Sequence, residues 1–367
     1  MNKLVITLCI VSSLTSFAQT SSSYIQADVF YGNTLRQSPD SQVLLQGHPT
    51  GMFISYNKRS HGEESWQERY NYPDFGFSAG YQDYQSDITG KLYSAYGHYN
   101  FYFFNRKNKN QLLFRTGIGL AYNTNPYDKE TNNKNTAFGT HLNSSTYFKL
   151  YYQREHIIEN LGVNAGFTFI HASNSNIKSP NSGLNVWAAT VGLNYSLDEN
   201  NEQISFIPST ESEYYKEPIK FNLAYRMGVN ESGIIGSGMK PFYVFSAYVD
   251  KRLNRKSAIQ FGADVYISPI LKEYYNLNLT IPHSNLKETS DFTRVGVFIG
   301  HELFINKISL ETQIGYYAKY PYSYAGRVYE TLGLKRYINN KWFASLRLKA
   351  HAADAETVEI GGGIRFN

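Results

Sequence analysis

The sequence predicts an all-β protein, a transmembrane antiparallel β-barrel built from a duplicated eight-strand unit, and three observations carry that reading. Segments with period-two alternation recur from Tyr24 to the C-terminus, separated by polar turns. Tyrosine and phenylalanine number 32 and 23 in 367 residues, yet mean hydropathy is negative at -0.43. Outer-membrane barrels need aromatic girdles outside and polar side chains inside, which produces that pairing of properties. Beyond the N-terminal segment, no apolar run approaches the roughly eighteen residues of a helical span.

The chain opens with the basic Met1-Asn-Lys3, continues apolar from Leu4 to Leu14, and reaches a small-x-small pattern at Ser16-Phe-Ala18. This is the pattern of a cleaved secretory signal over residues 1–18. The only cysteine, Cys9, falls inside it, so a mature chain has no thiol for a disulfide or a metal site. The formal charge of +5 becomes +4 once Lys3 leaves, and no cluster of five or more Lys/Arg occurs. Nucleic acid is therefore not an expected partner. A mildly positive balance is compatible with an anionic glycolipid, and equally with solvated loop lysines.

Strands are expected near 24–34, 50–58, 75–84, 91–104, 111–122, 142–153, 162–173 and 185–196, and again near 219–229, 241–252, 257–268, 293–305, 308–318, 327–338, 342–351 and 357–366. Residues 19–197 and 219–367 form the two halves, joined by a polar connector over 198–218. The halves echo each other, Gly97-His-Tyr99 answering Gly300-His-Glu302. Single-chain bacterial barrels usually close once with an even strand number, so one barrel of about 14 to 16 strands is the favoured closure. Two tandem eight-stranded barrels are the alternative. In the last strand Val358, Ile360, Gly362, Ile364 and Phe366 share the lipid face, and Glu359, Gly361, Gly363 and Arg365 the lumen.

His171 and Ser173 end the seventh strand on its apolar face, behind Val163, Ala165, Phe167 and Phe169. A strand points residues i and i+2 the same way, which sets an imidazole base beside a hydroxyl nucleophile facing hydrocarbon. If the N-terminus is periplasmic, this strand ends at the cell surface. The eighth strand begins there with Asn185 and continues on the same parity with Trp187, Ala189, Val191, Leu193 and Tyr195, so Asn185 can reach His171 from next door.

His171-Ala-Ser173-Asn174, Lys178, Pro180-Asn181 and Gly183-Leu-Asn185 together resemble the active-site segment of the lipid A 3-O-deacylase and acyloxyacyl hydrolase family of outer-membrane barrels. The resemblance covers residues 171–185, and residues 198–367 have no counterpart in the short members. It implies a serine esterase in the cell outer membrane that removes an ester-linked acyl chain from lipid A of lipopolysaccharide. Ser173 would be nucleophile, His171 base, and Asn174 and Asn181 supports of the pair or the oxyanion; no cofactor is required. The family pattern carries a glutamate where this chain has Asn185, which orients a base without supplying charge. The alternative function is a barrel without chemistry, serving as channel, adhesin or structural protein.

His351 occupies the repeat position of His171, but Ala353 replaces the serine, and its parity with Arg347 and Lys349 directs it into the lumen. The second half is thus expected to lack a hydrolase site. His98 and His301 read as lumen or rim residues. No phosphate loop and no metal-spaced His/Asp/Glu cluster occurs. The segment Ser60-His-Gly-Glu-Glu-Ser-Trp-Gln-Glu-Arg-Tyr70 is long for a periplasmic turn and is read only as a loop.

Overall fold

The computed structural model describes residues 22–36, 40–198, 205–212, 214–279, 291–323, 325–352 and 354–367. The expected signal segment and part of the connector lie outside the described residues. Among the described residues sixteen strands form, and their bounds follow the alternation closely. The first set is β1 (Ser23–Thr34), β2 (Thr50–Lys58), β3 (Asp74–Asp83), β4 (Lys91–Tyr102), β5 (Asn110–Asn123), β6 (Leu142–Ile158), β7 (Leu161–Ser173) and β8 (Leu184–Ser196). The second is β9 (Lys220–Asn230), β10 (Lys240–Arg252), β11 (Ser257–Ile267), β12 (Thr293–Phe304), β13 (Ile308–Lys319), β14 (Val328–Tyr337), β15 (Trp342–His351) and β16 (Asp354–Phe366).

The two sets close separately, each into an antiparallel eight-stranded barrel. Strand β8 returns to β1 in a register running from Tyr24↔Ser196 to Thr34↔Val186, and β16 returns to β9 from Ile360↔Met227 to Phe366↔Phe221. The tandem alternative is therefore the closure that forms, and the favoured single large barrel is corrected. The physical reason lies in the lumens. An eight-stranded barrel is just wide enough for side chains to fill, whereas sixteen strands would enclose a water channel.

Large luminal side chains do fill both interiors. In the first, the buried Arg115 guanidinium donates to Gln26 Oε1 (2.8 Å), Ser55 Oγ (2.9 Å), Asn57 Oδ1 (3.0 Å) and Asn100 Oδ1 (2.5 Å), while Lys149 pairs with Asp28 at 2.9 Å. In the second, Lys335 lies between Glu302 (3.0 Å) and Glu311 (3.1 Å), and Arg347 meets Glu359 at 2.7 Å. Charges so buried need partners: Arg115 is held by four neutral acceptors, and Lys149, Lys335 and Arg347 by carboxylates. The outer wall is apolar instead. Phe167, Val191 and Leu193 are exposed there, with Trp187 toward one end of β8 and Tyr195 toward the other. That is the apolar band between aromatic girdles of a barrel in lipid. The terminal strand has the expected facing, with Ile360 and Phe366 exposed and Glu359 and Arg365 buried.

The echoed histidines fall on opposite faces. His98 is buried in the first lumen between Ser78 Oγ and Asn57 Oδ1, both at 2.8 Å, whereas His301 is exposed on the outer wall near the end of β12. The tripeptide echo is thus one of sequence and not of register.

Two ends of the barrels can be distinguished, a site end where β7 turns into β8 and a connector end where β8 leaves for β9. The loop 59–73, at the connector end, contains a short helix α1 (Ser65–Arg69). Beyond α1, Tyr70 donates its hydroxyl to Phe304 O of the second barrel at 2.6 Å. The long turn is a docking element. A second helix, α2 (Ile270–Leu279), follows β11 at the site end.

Candidate active site

Alternation along β7 carries His171 and Ser173 to the outer wall, and pairing of His171 with Asn185 across β7 and β8 brings the third side chain alongside. His171 Nε2 lies 3.1 Å from Ser173 Oγ, and His171 Nδ1 lies 2.6 Å from Asn185 Oδ1. A carbonyl oxygen can only accept, so Nδ1 carries the proton and Nε2 presents its lone pair to the serine hydroxyl. The three side chains form one hydrogen-bonded line, Ser173, His171 and Asn185. Ser173 is buried, His171 and Asn185 partly so, and the line stands beside Phe169 and Trp187, whose rings are 5.0 Å apart.

The loop 174–183 folds back over this line through its own polar groups. Asn174 N donates to Asn181 Oδ1 and Asn174 Nδ2 to Lys178 O, both at 2.7 Å. The backbone N–H of Asn174 and one of its two side-chain N–H groups are thereby engaged inside the loop. Asn181 keeps its side-chain nitrogen without a hydrogen bond among the described residues. Ser175 and Asn176 take left-handed backbone conformations, φ 56° and 65°, which turn the chain sharply just past Ser173. Gly183, φ 65°, closes the loop; a Cβ there would stand 2.9 Å from Ser173 Cβ and 3.3 Å from His171 Cε1. Only glycine accommodates both the conformation and the approach.

A neighbouring loop from β5 to β6 forms a shelf beneath. Its Ala137 and Phe138 are buried at the mouth of the lumen, and Ala137 O and Thr136 O accept from Gly183 N (3.1 Å) and Ser182 N (3.0 Å). Asn135 Oδ1 caps that loop by accepting from the amides of Ala137 and Phe138. Sequence reasoning missed these residues, because nothing in their local pattern separates a shelf from any polar loop.

His351 is luminal, as its parity predicts, between Val328 O at 2.9 Å and Glu356 Oε2 at 2.8 Å. It sits on the opposite face from a His171-like position. Among the described residues no group of three or more His, Cys, Asp or Glu is placed to hold a metal ion.

Antiparallel barrels with apolar outer bands and filled polar lumens are outer-membrane barrels, and a serine–histidine–amide line on the outer wall marks the first one as hydrolase-like. Residues 50–194 match the family described as lipid A 3-O-deacylase (PagL), and residues 219–367 match the family described as acyloxyacyl hydrolase, C-terminal domain. Each barrel thus matches one of the two family models, the first that of the lipid A deacylases and the second that of the acyloxyacyl hydrolase C-terminal domain, and the protein is an outer-membrane barrel. The second barrel, which the motif resemblance did not reach, has a family description of its own.

Among solved structures, the outer membrane enzyme PagL is 19% identical, with a TM-score of 0.32 over 46% of this chain and 97% of that one. Neisserial surface protein A is 12% identical, with a TM-score of 0.31 over 48% and 99%. The Acinetobacter baumannii outer membrane protein Omp33 is 8% identical, with a TM-score of 0.18 over 95% and 98%. With TM-scores this low, none of these likenesses bears on the site. Comparison with curated proteins finds no match.

Proposed function

We propose that this protein is a serine esterase that removes an ester-linked acyl chain from lipid A in the outer leaflet. The observation that carries the reading is the unbroken line Asn185 Oδ1, His171, Ser173 Oγ on the lipid-facing wall. Nε2 of His171 takes the serine proton as Oγ attacks the ester carbonyl, and Asn185 holds the ring so that Nε2 is the free nitrogen. The acyl chain runs along the outward aromatic surface of Phe148, Phe167, Phe169 and Trp187 below the serine. Asn181 Nδ2, still free to donate, is the candidate side-chain donor to the oxyanion, while Asn174 holds Asn181 and the loop in place. The alcohol leaves with the proton from Nε2. Water, deprotonated by the same nitrogen, then frees the fatty acid and regenerates Ser173.

Exposed Lys178 at the loop tip stands where a lipid A phosphate would lie near the membrane surface. A channel reading has no support in the lumens, which are occupied by side chains such as Arg115 and Arg347.

The test compares lipid A by mass spectrometry from cells that lack the protein, express it, or express Ser173→Ala or His171→Ala. Expression of wild type produces a discrete mass decrease of one acyl chain, and both variants remove that decrease while keeping heat-modifiable migration. Deacylation by either folded variant at the wild-type rate refutes the assignment of that residue.

A further inference from the structure

The two barrels meet at the site end through the loop that follows Ser173. Glu231, buried in the loop between β9 and β10, accepts from Ser179 N at 2.8 Å with one carboxylate oxygen and from Gly238 N at 2.9 Å with the other. Ser179 Oγ donates to Ser232 O at 2.8 Å, and Glu231 N donates to Asn176 O at 3.2 Å. Asn176 Nδ2 reaches Glu356 O in β16 at 3.3 Å. The site loop is thus fastened on one flank by the first barrel's shelf, through Ser182 and Gly183, and on the other by the second barrel, through Asn176 and Ser179.

We infer that the second barrel braces the site of the first, with Glu231 as the positioning residue that fixes loop 174–183. This rests on the esterase reading above. The path to the reacting atoms is short. Ser179 follows Lys178, whose carbonyl holds Asn174 Nδ2; Asn174 N holds Asn181 Oδ1; and Asn174 is bonded in the chain to Ser173. A loop fastened on one flank alone would leave the left-handed turn at Ser175 and Asn176 with fewer restraints, and with it the placement of the Asn181 amide. Glu231 faces two backbone N–H donors and does not touch His171, Ser173 or Asn185 by any hydrogen bond, so its role is placement and not chemistry. This also assigns a task to a second barrel whose own repeat histidine faces its lumen.

The experiment uses the full chain in detergent micelles and two variants, Glu231→Ala and Glu231→Gln. Trypsin cleavage after Lys178, referred to cleavage after Lys129 and Lys134, reads the loop without reference to activity. Lipid A turnover reads the chemistry. In Glu231→Ala the cut after Lys178 accelerates by about fivefold or more, the expectation for losing one to two hydrogen bonds. Its kcat falls by about ten- to a hundredfold with KM nearly unchanged, since misplacement of reacting groups acts on the transition state. Glu231→Gln keeps one acceptor oxygen and gives intermediate values in both assays. It carries the test alone should Glu231→Ala lose heat-modifiable migration, and wild-type values for it then overturn the proposal. Unchanged cleavage in folded Glu231→Ala overturns the brace, and an accelerated cut with unchanged kcat, or with a change in KM alone, overturns the positioning role. Should the wild type itself show no deacylation, the esterase reading fails while the cut after Lys178 still decides the brace.

Discussion

Asn185 Oδ1 accepts from His171 Nδ1 at 2.6 Å across two neighbouring strands, an amide in the place where a carboxylate would add charge to orientation. The amide selects the tautomer but leaves an imidazolium uncompensated. Asn185→Ala should lower deacylation by about 5- to 150-fold, the equivalent of roughly 1 to 3 kcal/mol for one buried hydrogen-bond partner. Asn185→Glu should match or exceed the wild type. Initial rates of the purified variants decide it, and a silent alanine beside a harmful glutamate removes Asn185 from the line.

Gly183→Ala should impair chemistry with little loss of fold. The added methyl meets Ser173 Cβ and Ala172 O at 2.9 Å in a backbone conformation costing an L-residue roughly 1 to 2 kcal/mol. The strain is relieved by moving the serine or the loop. We expect wild-type heat-modifiable migration and a deacylation rate at least tenfold lower, about 1.4 kcal/mol in barrier. A wild-type rate would show that the contact relaxes elsewhere.

His351→Ala should leave deacylation unchanged. The ring bridges Val328 O and Glu356 inside the second lumen, where Glu356 also pairs with Arg294 and Lys349. Its removal costs stability alone, about 1 to 3 kcal/mol. Paired rate and thermal-unfolding measurements check this, and a rate loss equal to that of His171→Ala would defeat the single-site assignment.

Acid should release the connector before it unfolds the barrels. Burial pushes the Glu217 carboxyl up, but hydrogen bonding to Arg365 and the charges of Arg365 and Arg252 outweigh it and hold the group below the usual range. A carboxyl lowered in the folded state contributes stability that is complete above its unfolded value, about 4.3, and lost as pH falls through the folded one. Hydrogen exchange over residues 214–219 should therefore lose protection below about pH 4, after correction for intrinsic rates. Glu217→Gln should show the loosened pattern already at pH 7. Identical protection in wild type and variant at neutral pH would exclude Glu217 as the anchor.

Period-two alternation was enough to locate all sixteen strands, because burial of one face and exposure of the other is a property of each strand alone. The same arithmetic set His171 and Ser173 on the outer wall and His351 in a lumen. The fifteenth residue of the motif, Asn185, was legible too, since an antiparallel neighbour starting at the same end must pass His171. What alternation does not encode is closure. Every edge strand offers the same backbone donors and acceptors, so whether β8 pairs with β1 or with β9 depends on how Arg115, Tyr147, Lys335 and Arg347 fill the enclosed space. The brace from Glu231, the shelf at Ala137 and the dock at Tyr70 were invisible for a related reason. Each has a backbone carbonyl or amide on at least one side, a group the chain carries throughout, and joins segments far apart in sequence, so only the folded geometry selects which of them meet.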